Sequence, residues 1–178
     1  MVKLLRGIDR FSEWMGKGVM WLTTAMVLIT VYNVFSRYVL NNTITALTEL
    51  DWHLYALIFL LGSGYTLKHN GHVRIDLFYH RFDARRRAWV NLLGAVFFLI
   101  PFVTVIIYFL LFSPTFENSF VVRSWRFGEG SPDPGGLPAR YLLKSAVVVG
   151  FVVLIVQGLG EILRNVLFLK GKLNAKDE

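Results

Sequence analysis

The chain contains no cysteine. That excludes a disulfide framework, a thiol nucleophile and any metal or iron–sulfur site held by thiolates. Catalytic signatures are missing as well: no Gly-x-Ser-x-Gly elbow, P-loop or His-Glu-x-x-His pattern occurs, and no enzyme activity is expected. The four histidines, His53, His69, His72 and His80, fall at one end of an apolar run or in a connection. Haem ligation between helices needs histidines facing one another deep in a bundle, so no cofactor is expected. His72 and Asp76 are spaced to share a helix face, but further ligands are lacking and a structural hydrogen bond is the better reading.

Charge is the other absence. Four stretches carry none: Gly18 to Ser36, Trp52 to Leu67, Ala88 to Phe116 and Ser145 to Gly160. Crossing a bilayer takes about 20 mainly apolar residues, since a helix rises ~1.5 Å per residue and the hydrocarbon core is ~30 Å thick. The first and third runs meet that length unaided; the second and fourth reach it by drawing polar ends into the interface. With 54% hydrophobic residues, the expected fold is an all-α membrane protein with four transmembrane helices, over about 18–37, 50–67, 88–112 and 141–163. No soluble domain remains.

The basic excess follows this organisation. A net charge of +7 in a soluble chain could point to nucleic acid; here its placement is a topology signal, and no nucleic-acid partner is expected. Fourteen cations fall in the arm (Lys3, Arg6, Arg10, Lys17), in the connection between the second and third spans (Lys68, Arg74, Arg81, Arg85, Arg86, Arg87) and in the tail (Arg164, Lys170, Lys172, Lys176). Five fall on the other side: Arg37, Arg123, Arg126, Arg140 and Lys144. The positive-inside bias then puts both termini in the cytoplasm, with anionic lipid as a contact.

Residues 1–17 read as an amphipathic interfacial helix, with Leu4, Ile8, Phe11 and Met15 at helical spacing. Bulky residues after the first apolar run argue against a cleavable signal peptide. Trp14, Trp21, Trp52 and Trp89 lie near span ends, where the indole settles at headgroup depth. Pro101 falls inside the third span and predicts a kink, because its missing N–H frees the Phe97 carbonyl. The outer loop, 113–140, contains the turn-forming run Glu129 to Pro138. It also carries Phe116, Phe120, Trp125 and Phe127, too much apolar surface for a free linker. The cytoplasmic tail is 164–178.

The spans lack what a self-sufficient transporter needs. Ion and substrate pathways show ionisable residues or broken helices near mid-membrane. Here the interior polar residues, such as Asn33, Ser63, Asn91 and Gln157, can be spent on hydrogen bonds between helices, while Glu49, Asp51 and Glu161 sit at span ends. This disfavours a stand-alone exporter and favours a subunit that holds something else. The alternative class is a membrane anchor of a quinone-linked oxidoreductase, which would want paired histidines within the spans.

Two local patterns carry a resemblance. One is Asn33-Val34-Phe35-Ser36-Arg37-Tyr38-Val39-Leu40-Asn41 at the outer end of the first span. The other opens with Glu49, continues through Gly62-Ser63-Gly64 and closes on His72-Val73-Arg74-Ile75-Asp76. Together they resemble the small, DctQ-type membrane subunit of tripartite ATP-independent periplasmic (TRAP) transporters. The Gly-Gly-Leu-Pro-x-Arg-Tyr-Leu-x-Lys stretch ending at Lys144 is similar to one branch of that family. The resemblance implies a scaffold in the bacterial inner membrane, partnered by a large DctM-type subunit and a periplasmic solute-binding protein that delivers an organic acid. Sodium coupling would lie in the large subunit. Glu49, Gly62, Gly64, His72, Asp76 and Arg37 are then the expected structural or interface positions, and Arg123 and Arg126 are candidates for docking the binding protein.

Overall fold

The computed structural model describes residues 1–71 and 79–173, and every regular element among them is helical. The elements are α1 (Val2–Val39), α2 (Thr45–Lys68), a 3₁₀ turn (Tyr79–Arg81), α3 (Ala84–Gly94), a π-helical turn (Ala95–Leu99), α4 (Ile100–Phe112), α5 (Phe120–Arg126) and α6 (Arg140–Leu169). Among the described residues, three helical stretches are long and apolar enough to cross a membrane: Val2–Val39, Ala84–Phe112 and Arg140–Leu169. At 24 residues, α2 is about 36 Å long. Glu49, Asp51 and His53 in its first turns leave it too polar to count with those three.

The arm and the first run form one helix. With 38 residues, α1 is about 57 Å long, with no break at Lys17–Gly18. Nothing there ends a helix, and the N-terminal turns have protein to pack on. Leu5, Ser12 and Gly16 are buried, whereas Leu4 and Phe11 of the expected apolar stripe stay exposed. The conflict at Pro101 is resolved just before it. The backbone widens into the π turn Ala95–Leu99, and Pro101 enters α4 in its first turn, where a missing N–H costs least. α3, the π turn and α4 thus follow one another without a gap, from Ala84 to Phe112.

The most extensive packing is of α2 against α1 and against α6; α6 in turn carries α3, α4 and α5. The interior is small and polar. Its apolar members are Leu5, Leu54, Ala88, Ala95, Val103, Val121, Val153 and Leu167, and they share it with Ser12, Asn33, Ser36, Gln157 and several charged groups. Large side chains point outward instead: Phe98 is 76% exposed and Trp21 75%. A bilayer explains this inversion, because lipid gives apolar side chains no reason to leave the surface and helices associate through close backbone approach and hydrogen bonds.

Glycine supplies the close approach. A Cβ at Gly64 would lie 2.8 Å from Val153 Cγ1, and one at Gly150 would lie 2.7 Å from Leu60 Cβ and 3.0 Å from its carbonyl oxygen. The Leu60 carbonyl belongs to the α2 backbone and cannot turn aside. Gly150→Ala should therefore push α2 and α6 apart and destabilise the chain by about 1–3 kcal/mol. The check is its melting temperature in detergent, with Gly7→Ala as control, since a Cβ at Gly7 meets nothing within 4 Å. Equal melting of the two variants would contradict this packing.

Candidate functional site: polar ties at the two ends of the bundle

At the end that carries the N-terminus, three helices meet through charge. α1 presents Asp9, Ser12 and Glu13, spaced to share one face. α6 presents Gln157, Glu161, Arg164 and Asn165, again spaced for one face. Arg164 forks between them, with Nη2 donating to Asp9 Oδ1 at 2.7 Å and Nη1 to Glu161 Oε2 at 3.4 Å. Asn165 Nδ2 donates to the other oxygen of Glu161 at 3.0 Å and to its carbonyl at 2.8 Å. Glu161, Arg164 and Asn165 are all buried. One turn further in, Ser12 Oγ donates to Gln157 Oε1 at 2.5 Å. α2 joins through its last turn: Lys68 Nζ donates to Glu13 Oε1 at 2.6 Å and to the Asp9 carbonyl at 3.2 Å, and His69 Nε2 lies 2.8 Å from the same Glu13 oxygen.

The opposite end is held by a latch. Glu49, at the start of the second turn of α2, is buried at 4% exposure. It accepts from the Ser131 hydroxyl on one oxygen and from the Leu137 backbone N–H, at 2.6 Å, on the other. Both donors lie in the turn-rich loop, which closes on itself through Ser131 N–H to the Leu137 carbonyl at 3.0 Å and Arg140 N–H to the Glu129 carbonyl at 2.8 Å. A Cβ at Gly136 would come within 2.8 Å of Glu49 Oε2, so glycine is what lets the loop reach the carboxylate. The loop hands over to α6 at Ala139, whose φ of 64° is left-handed and unusual for a residue with a Cβ. Lys144, one turn into α6, pairs with Glu129, and its ammonium holds that carboxyl below the ordinary glutamate range. This tie is intact at neutral pH and is lost only as acid protonates Glu129, below the usual value of about 4.3.

Smaller ties finish this end. Asn33 Nδ2 donates to Thr48 Oγ1 at 3.2 Å, Ser36 Oγ to the Asn42 carbonyl at 3.0 Å and Thr30 Oγ1 to Asp51 at 3.1 Å. His53 Nδ1 donates to the Glu49 carbonyl at 2.6 Å. Trp125 Nε1 donates to Ser145 Oγ at 2.6 Å, fixing α5 on α6. The arrangement binds helix to helix and loop to helix. Among the described residues, no group of three or more His, Cys, Asp or Glu could hold a metal ion.

The family model for tripartite ATP-independent periplasmic transporters, DctQ component, matches residues 26–168. The chain belongs to this family. No curated protein and no solved structure matches it. A DctQ component is a transport subunit, and the fold agrees with a membrane protein.

In this DctQ chain the expected site residues fall at separate places. Glu49 is the latch. Gly64 lies at the α2–α6 crossing, and Gly62 faces α1 more loosely, with Val19 Cγ1 3.6 Å from a Cβ placed there. Arg37 is exposed in the last turn of α1. His72 and Asp76 lie outside the described residues. Arg123 and Arg126 are both exposed on α5; Arg126 pairs with Glu117 at 2.9 Å and the Arg123 guanidinium lies 5.9 Å from the centre of the Phe127 ring. The cluster of Asp9, Glu161, Arg164 and Asn165 is absent from the expected set. Its signal was the pair of polar stripes at helical spacing on α1 and α6, hidden because Arg164 counts equally well as a topology charge and Asp9 as part of a solvated arm.

Proposed function

We propose that this chain is the small scaffold subunit of a sodium-coupled, binding-protein-dependent importer of organic acids. It crosses the bacterial inner membrane four times, with both termini in the cytoplasm, and anchors a large DctM-type subunit that carries substrate and sodium. One observation supports this most. The buried charged side chains among the described residues, Glu49, Glu161 and Arg164, are each spent on partners within the chain: Glu49 on the loop, Arg164 on Asp9 of α1, and Glu161 on Arg164 and Asn165 of its own helix. They lie at the two ends of the bundle, and groups spent on internal ties are poor carriers of an ion or a carboxylate. Four spans are favoured by the place of α2, packed along both α1 and α6. Asp9 meets Arg164 at one end, while Arg140 lies over Trp52 at the other, so the N-terminus of α1 and the C-terminus of α6 share an end, as the charge asymmetry requires.

The exposed apolar faces are the surfaces for the large subunit and for lipid. Arg126, with Arg123 beside it, is the proposed contact for the soluble binding protein. An affinity-tagged chain, solubilised in mild detergent from cells expressing both membrane subunits, should recover the large subunit in stoichiometric amount. Recovery of the tagged chain alone, under conditions that keep the large subunit soluble and folded, would overturn the scaffold reading.

A further inference from the structure

Beside the latched loop, Phe120, Arg123, Ser124, Phe127, Glu129 and Lys144 line an open groove of about 660 Å³. Its chemistry has two parts. The polar part carries the Arg123 guanidinium, the Lys144–Glu129 ion pair and the Ser124 hydroxyl, so its net charge is one positive. Ser124 is 2% exposed, and its hydroxyl lies close enough to Glu129 to help Lys144 lower that carboxyl, yet no described residue meets it in hydrogen-bonding geometry. A buried hydroxyl without a partner is costly and calls for a ligand or a water. The apolar part is aromatic. Phe127 is 73% and Phe120 48% exposed, and the Lys144 ammonium sits 4.5 Å from the centre of the Phe120 ring. A run of rings, Tyr108 and Phe112 on α4 and Phe116 just after it, follows at centroid spacings of 5.7 Å. Trp125 and Tyr141, 4.4 Å apart, mark headgroup depth beside it.

We propose that this groove holds the headgroup of a membrane phospholipid. Its phosphodiester, a monoanion, matches the single positive charge. Arg123 and Ser124 donate to the phosphate oxygens, and the acyl chains follow the aromatic run along α4. Charge-assisted donation from a guanidinium to phosphate is the strong form of this contact. An acidic side chain of a protein partner would use the cation but would leave the buried hydroxyl and the aromatic rim uncovered. The assignment takes Arg123 into the groove and leaves Arg126, which does not line it, to the docking surface. The site requires only an embedded chain, whichever leaflet it faces.

The test is native mass spectrometry of the full chain, purified in detergent, stripped of lipid and exposed to three probes. These are dioleoyl phosphatidylethanolamine, dioleoylglycerol with the same chains but no phosphate, and inorganic phosphate. The phospholipid should be retained and dioleoylglycerol should not. Arg123→Gln should lower the bound fraction about tenfold, Arg123→Lys should restore part of it, and Ser124→Ala should give a smaller loss. Melting temperature reports whether each variant folds; if Arg123→Gln does not, the Arg123→Lys and Ser124→Ala pair decides. Equal retention by wild type and folded variants, or equal retention of dioleoylglycerol, would overturn the site. Displacement of the phospholipid by millimolar inorganic phosphate would show a site for free phosphate and overturn the lipid assignment. Unchanged lipid retention in Arg123→Gln with lost capture of the soluble binding protein would give Arg123 to the protein partner instead.

Discussion

Arg164→Ala should destabilise the bundle by about 3–5 kcal/mol, the usual cost of removing one partner from a buried ion cluster. The loss exceeds that of one hydrogen bond because Asp9 and Glu161 are both left behind as carboxylates, partly or fully shielded from water, with no guanidinium between them. Arg164→Lys should recover only part of the loss, since a single ammonium nitrogen cannot match two carboxylates spaced for the separate nitrogens of a planar guanidinium. Thermal unfolding of the full chain in detergent reads both values. The coupling to α1 is separable: in a double-mutant cycle, Asp9→Asn should cost much less in the Arg164→Ala background than in wild type. Additive effects, or an unchanged melting point for Arg164→Ala, would mean that the arm is not tied to α6.

The second large effect belongs to Glu49. Glu49→Ala removes the acceptor for the Ser131 hydroxyl and the Leu137 N–H together, and unsatisfied buried donors cost about 1–3 kcal/mol each. The loop from Glu129 to Arg140 should open roughly 30- to 150-fold more often, corresponding to about 2–3 kcal/mol. Limited proteolysis of that loop measures the change, since cleavage follows the open population when closing is fast. Glu49→Gln should fall between. Its carbonyl can still accept from Leu137, but Ser131 must then accept from the amide while it also accepts from the Asp133 N–H at 3.1 Å. A loop as resistant in Glu49→Ala as in wild type would show that the latch does not hold it.

These two residues show what the sequence made legible. Glu49 was readable as a marked position through its place in a family pattern, because a carboxylate opening an apolar run stands out. Its partners were not: Ser131 and Leu137 lie 82 and 88 residues away, and one sequence carries no signal that joins them. The role of Arg164 as a tie was not legible, for the opposite reason. Charge counting treats every cation near a span end as equivalent, and it cannot tell an arginine facing headgroups from one buried between two carboxylates. Helical character was plain, because uncharged runs of this length have few alternatives. The boundary at residue 17 was not, since a change in composition does not end a helix that has a neighbour to pack on. At Pro101 the sequence announced a disturbance, and the backbone meets it with a π turn just before the proline, on a stretch that packs against α6.

The central claim is that this DctQ chain holds a transport apparatus and conducts nothing itself. Proteoliposomes test it most directly. With an inward sodium gradient, vesicles containing this chain alone should accumulate no labelled organic acid. Vesicles containing both membrane subunits, supplied with the binding protein, should accumulate it, and collapsing the sodium gradient should abolish uptake. Sodium-driven accumulation by this chain alone would contradict the account.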